Sequence, residues 1–309
     1  MEKINQAVRI HSYGGPEQVR VDQVGMPAPG QGKVLLEVHA AGVNAIDRKI
    51  REGALKDVFK LPLPGTLGVE LAATVIATGA GVDTLAVGNR VFGPVLSLGA
   101  FASYVEVDAQ LLALTPAAMS DQTAAALPVA GLTAWQALFE AGQLKAGQTV
   151  LIQGAAGGVG SMAVQFARQA GARVIATASS RNLDYVKGLG ADQVLDYGSA
   201  QPFAGIAGVD LVLDLAGGAA LDLLWPLLGA DGVVVSAAAP EIAQRTPASR
   251  TGLWFQMHPD AQLLARLAAM MVRGEIKVEV SRLFQLDNVQ QAIDYAYSGR
   301  GRGKAVLEF

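Results

Sequence analysis

With 309 residues the chain can bury roughly three quarters of its unfolded surface, and it exceeds the usual size of one core, so two domains are expected. Its composition, 51% hydrophobic with 36 Gly and 13 Pro, is apolar but punctuated, and no apolar run is long enough for a membrane span. The net charge of -3 gives no basic field for nucleic acid, and zero Cys rules out disulfides, thiolate nucleophiles and thiolate metal sites.

The start, MEKINQAVRI, has no basic region followed by an apolar block, so no export signal is expected and a cytoplasmic location is. From Gln6 to Ala41, alternating runs such as KVLLEVHA are separated by the turn-rich pieces SYGGPE and MPAPGQG, the pattern of a small β domain. It continues through ELAATVIATG and AVGNRVFG. From about Ser120 helical segments alternate with the apolar runs TVLIQ, RVIATA, QVLDY, DLVLDLAG and GVVVSAA. Such runs with helical crossovers predict a doubly wound parallel sheet covered on both faces, an α/β fold. The helix DAQLLARLAAMMVRGE, the run VEVSRLF, the helix LDNVQQAIDYAYSG and the strand GKAVLEF close the chain. The expected division is 1–120, 121–275 and 276–309, the last segment rejoining the first.

The stretch LIQGAAGGVG, 151–160, follows the strand TVLIQ and opens the helix GGVGSMAVQFARQAG, the context of a dinucleotide fingerprint. Gly154, Gly157 and Gly160 are spaced GxxGxxG, a variant of the usual GxGxxG. Small residues here, Ala156, Gly157, Gly158 and Val159 included, let the backbone approach a pyrophosphate that the helix N-terminus attracts. A tight turn without a ligand is the alternative. Along the helix Val159, Ala163, Phe166, Ala167 and Ala170 recur at helical spacing and predict one apolar face.

The next strand, RVIATA, ends where an NAD site places Asp or Glu against the ribose 2′-OH, yet no acidic residue stands between Gly160 and Asp184. Ser179, Ser180 and Arg181 stand there instead, two hydroxyls and a fixed cation suited to a 2′-phosphate. NADPH is the expected coenzyme. SSRN also suits an N-cap for a helix beginning near Leu183, and both roles can coexist.

These residues, with SYGGPE, HAAGVNAIDRKIREG, LGVELAATVIATGAGVDTLAVGNRVFG, LPVAGLTAWQAL, AAGGVG, GLGADQVLDY and GRGKAVLEF in one order, resemble the zinc-independent, quinone-oxidoreductase-like branch of the medium-chain dehydrogenase/reductase superfamily. The resemblance implies a GroES-like substrate domain built from both chain ends, a Rossmann domain between them, and an active site in the cleft. Zinc-dependent relatives carry a ligand Cys where this chain has Gly42 to Asn44 and a Gly-His-Glu motif where it has Gly68, Val69 and Glu70. His11, His39 and His258 are scattered singly and are expected to be packing or surface residues, so no metal is expected.

Without a Lewis acid, the chemistry implied is hydride transfer from NADPH to an already conjugated acceptor, a quinone or enone. By the same resemblance Asn44 would donate to the acceptor oxygen or position the nicotinamide, with a strand-ending turn as its plain alternative. Lys49 stands where relatives often have Tyr and reads as a solvated helix-face lysine. Thr133 would lie beside the carboxamide, Tyr197 near the adenosine phosphate, Ala216 and Ser236 in loops by the nicotinamide ribose, and Arg302 and Lys304 near the coenzyme. The run SGRGRGK, in an acidic chain, reads as a turn rather than an RNA-binding tract. TGLWFQMHP resembles the edge strand through which such proteins form homodimers. Two other functions stay open: an enoyl-thioester reductase, and an NADPH-binding protein with little turnover.

Overall fold

The computed structural model describes residues 4–298 and 301–309; of the run SGRGRGK, Gly299 and Arg300 lie outside the described residues. The chain divides into two compact units, one of residues up to Val129 with Pro259–Phe309, the other Ala130–His258. The divide falls at 129/130 and 258/259, where 120/121 and 275/276 were expected. The reason is that the helices Asp121–Ala126 and Ala261–Val272, on the first unit's side of each crossing, pack on that unit's strands.

In chain order, β1 (Asn5–Ile10) and β2 (Val19–Val24) form an antiparallel pair, with β4 (Gly65–Thr66) on the other side of β1. The long strand β3 (Lys33–Val43) pairs antiparallel with β5 (Glu70–Thr78) and with β7 (Tyr104–Asp108), while β6 (Arg90–Pro94) and β8 (Ala113–Leu114) extend the sheet beyond β5. The alternation of KVLLEVHA is only partly realised, since Val34, Leu35 and Leu36 are all buried. Strands flank β3 on both sides, and only Lys33, Glu37 and His39 along it stay half-buried. Helix α1 (Ala45–Arg51) follows β3 directly, and α2 (Asp121–Ala126) starts at Ser120, whose hydroxyl accepts the Thr123 N–H. The helix α3 (Pro128–Gln136) crosses the divide.

The second unit holds six parallel strands: β9 (Thr149–Ile152), β10 (Arg173–Ala178), β11 (Gln193–Asp196), β12 (Val209–Asp214), β13 (Leu228–Ser236) and β14 (Thr251–Trp254). Their order is β11-β10-β9-β12-β13-β14, the doubly wound Rossmann arrangement, so the chain reverses its direction of travel between β9 and β12. Ligands of such sheets lie at the carboxyl ends of the strands flanking that reversal. Helix α4 (Gly158–Gln169) links β9 to β10, with α5 (Leu183–Gly188) and the short α6 (Ile242–Arg245) among the later connections. All eight residues from Gly160 to Ala167 are buried, so α4 is covered on more than the single face its spacing predicts.

The chain then returns to the first unit. Asp260 caps α7 (Ala261–Val272) by accepting the Leu263 N–H at 2.9 Å. Strand β15 (Val280–Gln285) runs parallel to β16 (Lys304–Glu308), and the crossover that a parallel pair requires carries α8 (Val289–Tyr297). Strand β16 pairs antiparallel with β3, Ala305 opposite Val43. The first unit is thus a mostly β domain built from both ends of the chain, whose core joins Val8, Leu36, Leu71 and Phe101 to Leu307. Among the described residues no helix is long and apolar enough to cross a membrane.

Candidate active site

The Gly-rich turn after β9 is tight for a steric reason. A Cβ on Gly160 would come 2.3 Å from the Gly154 carbonyl oxygen, and Gly154 itself adopts φ +66°, a left-handed conformation that favours glycine. The turn is hung on the neighbouring strand, where the Ala155 N–H donates to the Thr177 carbonyl at 3.0 Å. Helix α4 begins at Gly158, and its N-cap Gly157 has no side chain to satisfy the first-turn N–H groups. Those donors and the positive end of the helix dipole form an anion seat. Ala156 is buried, and Gly157, Gly158 and Val159 are half-buried.

The other expected coenzyme residues of this unit fall along the same carboxyl edge. Ser179, Ser180 and Arg181 follow β10, Tyr197 follows β11, Ala216 follows β12, and Ser236 ends β13. The residues 180–182 form one 3-10 turn before α5, and neither Ser179 nor Asn182 caps that helix with its side chain. Capping therefore does not use up the Ser179 hydroxyl, which accepts from Asn182 Nδ2 at 3.3 Å. Ser180, Arg181, Tyr197 and Ala216 are exposed. Ser236 is not: with 0% exposure, its hydroxyl donates to Asp214 Oδ2 at 2.7 Å. Thr133 is buried within α3.

In the first unit Asn44 and Lys304 meet, although 260 residues separate them. Lys304 Nζ donates to Asn44 Oδ1 at 2.5 Å, to Glu70 Oε1 at 2.6 Å and to the Val43 carbonyl at 3.2 Å. Asn44 Nδ2 in turn donates to Glu70 Oε1 at 2.7 Å and to the Gly42 carbonyl at 3.3 Å. The second Glu70 oxygen accepts the Val129 N–H at 2.7 Å, at the start of α3. Glu70 is fully buried, and its negative charge is met by the ammonium and two neutral donors, Asn44 Nδ2 and the Val129 N–H. No room remains beside it: a Cβ at Gly42 would lie 2.3 Å from Glu70 Oε1.

Asp47 completes the cluster. Its Oδ2 accepts the Asn44 N–H at 2.7 Å, while Oδ1 is buried without a partner. Burial pushes its carboxyl up to about 7; the Asn44 N–H and the Lys304 charge pull it down, and Glu70 pushes it up further. Arg302, two residues before Lys304, is exposed.

Two domain models match the chain, an alcohol dehydrogenase GroES-like domain over residues 30–117 and a zinc-binding dehydrogenase domain over 189–307. A chloroplast envelope quinone oxidoreductase homolog from Arabidopsis thaliana is 30% identical over 99% of this chain and 99% of its own. The chain belongs to the quinone-oxidoreductase-like branch of the medium-chain dehydrogenase/reductase superfamily. Within it, a 2-methylene-furan-3-one reductase from Solanum lycopersicum is 31% identical over 96% of this chain and 76% of its own. A quinone oxidoreductase from Escherichia coli, solved with NADPH, superposes with a TM-score of 0.87 at 27% identity, over 98% of this chain and 100% of that one.

A quinone-oxidoreductase-like chain is an oxidoreductase. The histidines lie apart: His11 bonds Asp22, His39 bonds Thr74, and His258 bonds Glu140 and Gln136. Three residues of the two clusters are absent from the sequence-based site. Asp47 carried a readable mark, an acid three positions into a helix whose N-cap is Asn44, the capping-box spacing. Glu70, which opens β5, and Asp214, which closes β12, carried weaker ones, each an acid at one extremity of an apolar strand.

Proposed function

We propose that the protein is an NADPH-dependent reductase that passes a hydride to a quinone or an α,β-unsaturated carbonyl without a metal, and that it acts as a homodimer. The observation that carries this is the carboxyl edge of β9 and β10. There an uncapped helix N-terminus stands beside an exposed Ser180–Arg181 pair, with no carboxylate where a ribose 2′-OH would be read. A Gly160 that tolerates no Cβ and a capping-free Ser179 fit a pyrophosphate and a 2′-phosphate. The NADPH-bound Escherichia coli protein supports the coenzyme, and the tomato relative's name supports an enone acceptor.

When bound, the reduced nicotinamide supplies the hydride, and the protein's part is to orient the reactants and exclude water. Asn44 is held rigid for that purpose. Its Oδ1 is fixed by Lys304 and one amide hydrogen by Glu70, while the long 3.3 Å bond to Gly42 leaves the second hydrogen available to an acceptor oxygen. The metal-free step follows from the donor set. Val69 offers an isopropyl group where zinc-dependent relatives have His, and the chain has no Cys; the cation on Glu70 is an ammonium. The dimer rests on β14, the outermost strand, whose Leu253 and Trp254 are exposed.

Steady-state NADPH oxidation against 1,4-benzoquinone, 9,10-phenanthrenequinone and simple enones tests the reaction, and Arg181→Ala tests the coenzyme. Turnover with this panel is expected, and the variant is expected to lose about tenfold or more of its preference for NADPH over NADH, as one charge-assisted contact is lost. Binding without oxidation, or an unchanged preference, overturns the assignment.

A further inference from the structure

Asp214 and Ser236 stand opposite each other at the ends of the adjacent strands β12 and β13, and both are fully buried. Asp214 Oδ1 accepts the N–H groups of Ala216 at 3.0 Å and Gly217 at 2.8 Å, folding the chain after β12 back over its own strand end. Asp214 Oδ2 accepts the Ser236 hydroxyl at 2.7 Å. That hydroxyl accepts in turn from the N–H groups of Ala238 at 3.2 Å and Ala239 at 2.9 Å.

A serine hydroxyl has one hydrogen and two lone pairs. Both lone pairs of Ser236 are occupied, so its hydrogen can go only to Asp214. Every contact of the Asp214 carboxylate is then one in which it accepts. Among the described residues no Lys or Arg pairs with it, so two loops, rather than a counter-ion, solvate this buried charge. The loops also touch. A Cβ on Gly217, which has φ +65°, would lie 3.2 Å from the Ala238 carbonyl oxygen, and the Gly154 position of the Gly-rich turn faces Leu215 at 3.6 Å. One carboxylate thus sets the backbone of two loops, the first of which lies against the Gly-rich turn across the β9–β12 switch in strand order.

We infer that Asp214 and Ser236 are positioning residues that touch no ligand themselves but hold the backbone of 215–218 and 236–239 as the seat of the nicotinamide half of the coenzyme. This rests on the coenzyme reading above. It also gives Ser236 a different part from the one its sequence position suggests, since a fully used and buried hydroxyl offers nothing to a ribose.

The test is Asp214→Asn, isosteric but obliged to turn an NH2 group toward either the loop N–H groups or a hydroxyl with no free lone pair. Binding of NADPH and of 2′,5′-ADP, which carries only the phosphorylated adenosine half, is measured for the wild type, Asp214→Asn and Ser236→Ala. Both variants are expected to bind 2′,5′-ADP like the wild type while NADPH affinity falls about tenfold or more. Equal loss of both ligands would mark a merely structural role and overturn the inference, as would NADPH affinity unchanged in both variants. A wild-type chain that binds 2′,5′-ADP and NADPH leaves the coenzyme reading standing in either case; one that binds neither overturns that reading, and this inference with it.

Discussion

Asp47→Asn separates the cost of a buried charge from the cost of a buried shape. Burial raises the Asp47 carboxyl from 3.8 to about 7, so the folded chain keeps a proton that the unfolded chain releases. Between about pH 4 and pH 7 the folded state therefore binds more protons, and stability falls as pH rises through that window. The shift of roughly three units corresponds to about 4 kcal/mol, lost at about 1.4 kcal/mol per pH unit and constant above the folded value. Asparagine matches the protonated acid in shape and can still accept the Asn44 N–H, but it never ionises. Near pH 5 the variant is expected to lie within about 1 kcal/mol of the wild type, and near pH 8 to be the more stable of the two by about 2 kcal/mol or more. Urea unfolding of both proteins at unit intervals from pH 5 to pH 8 reads the difference, in which groups not coupled to Asp47 cancel. A difference that stays flat across that range refutes the reasoning.

Lys304→Met leaves Glu70 buried without its cation and is expected to cost about 3–5 kcal/mol in urea unfolding, with Lys304→Met/Glu70→Gln recovering much of the loss. A double variant no more stable than the single one would show that the pair is not what the single change breaks. On the exposed edge, Trp254→Asp is expected to convert a dimer to a monomer by light scattering, with NADPH affinity within about twofold of the wild type. An unchanged mass would remove β14 as the interface.

The parallel sheet was legible because its central strands, buried on both faces, read as continuous apolar runs, and the turn at 154–160 because its glycines answer a steric demand that local sequence alone imposes. Arg181 drew the NADPH expectation through an absence, the missing carboxylate after RVIATA. The cluster around Asn44 was not, because a hydrogen bond from Lys304 to Glu70 spans 234 residues and leaves no periodic trace in either segment. Ser236 shows the other limit. Its place at a strand end could be read, but whether its hydroxyl faces outward or is consumed inside the fold depends on Asp214, a residue of another strand.

The pairing of β16 with β3 also bears on biosynthesis. A ribosome that has released the contiguous stretch Ala130–His258 has already supplied every strand of the parallel sheet, whereas Glu70 waits for its ammonium until residue 304 emerges. Until then water solvates that carboxylate, and the first unit cannot bury it together with its partner. Chaperone contact during synthesis is therefore expected on the segment before residue 130, whose unit is still incomplete, rather than on Ala130–His258.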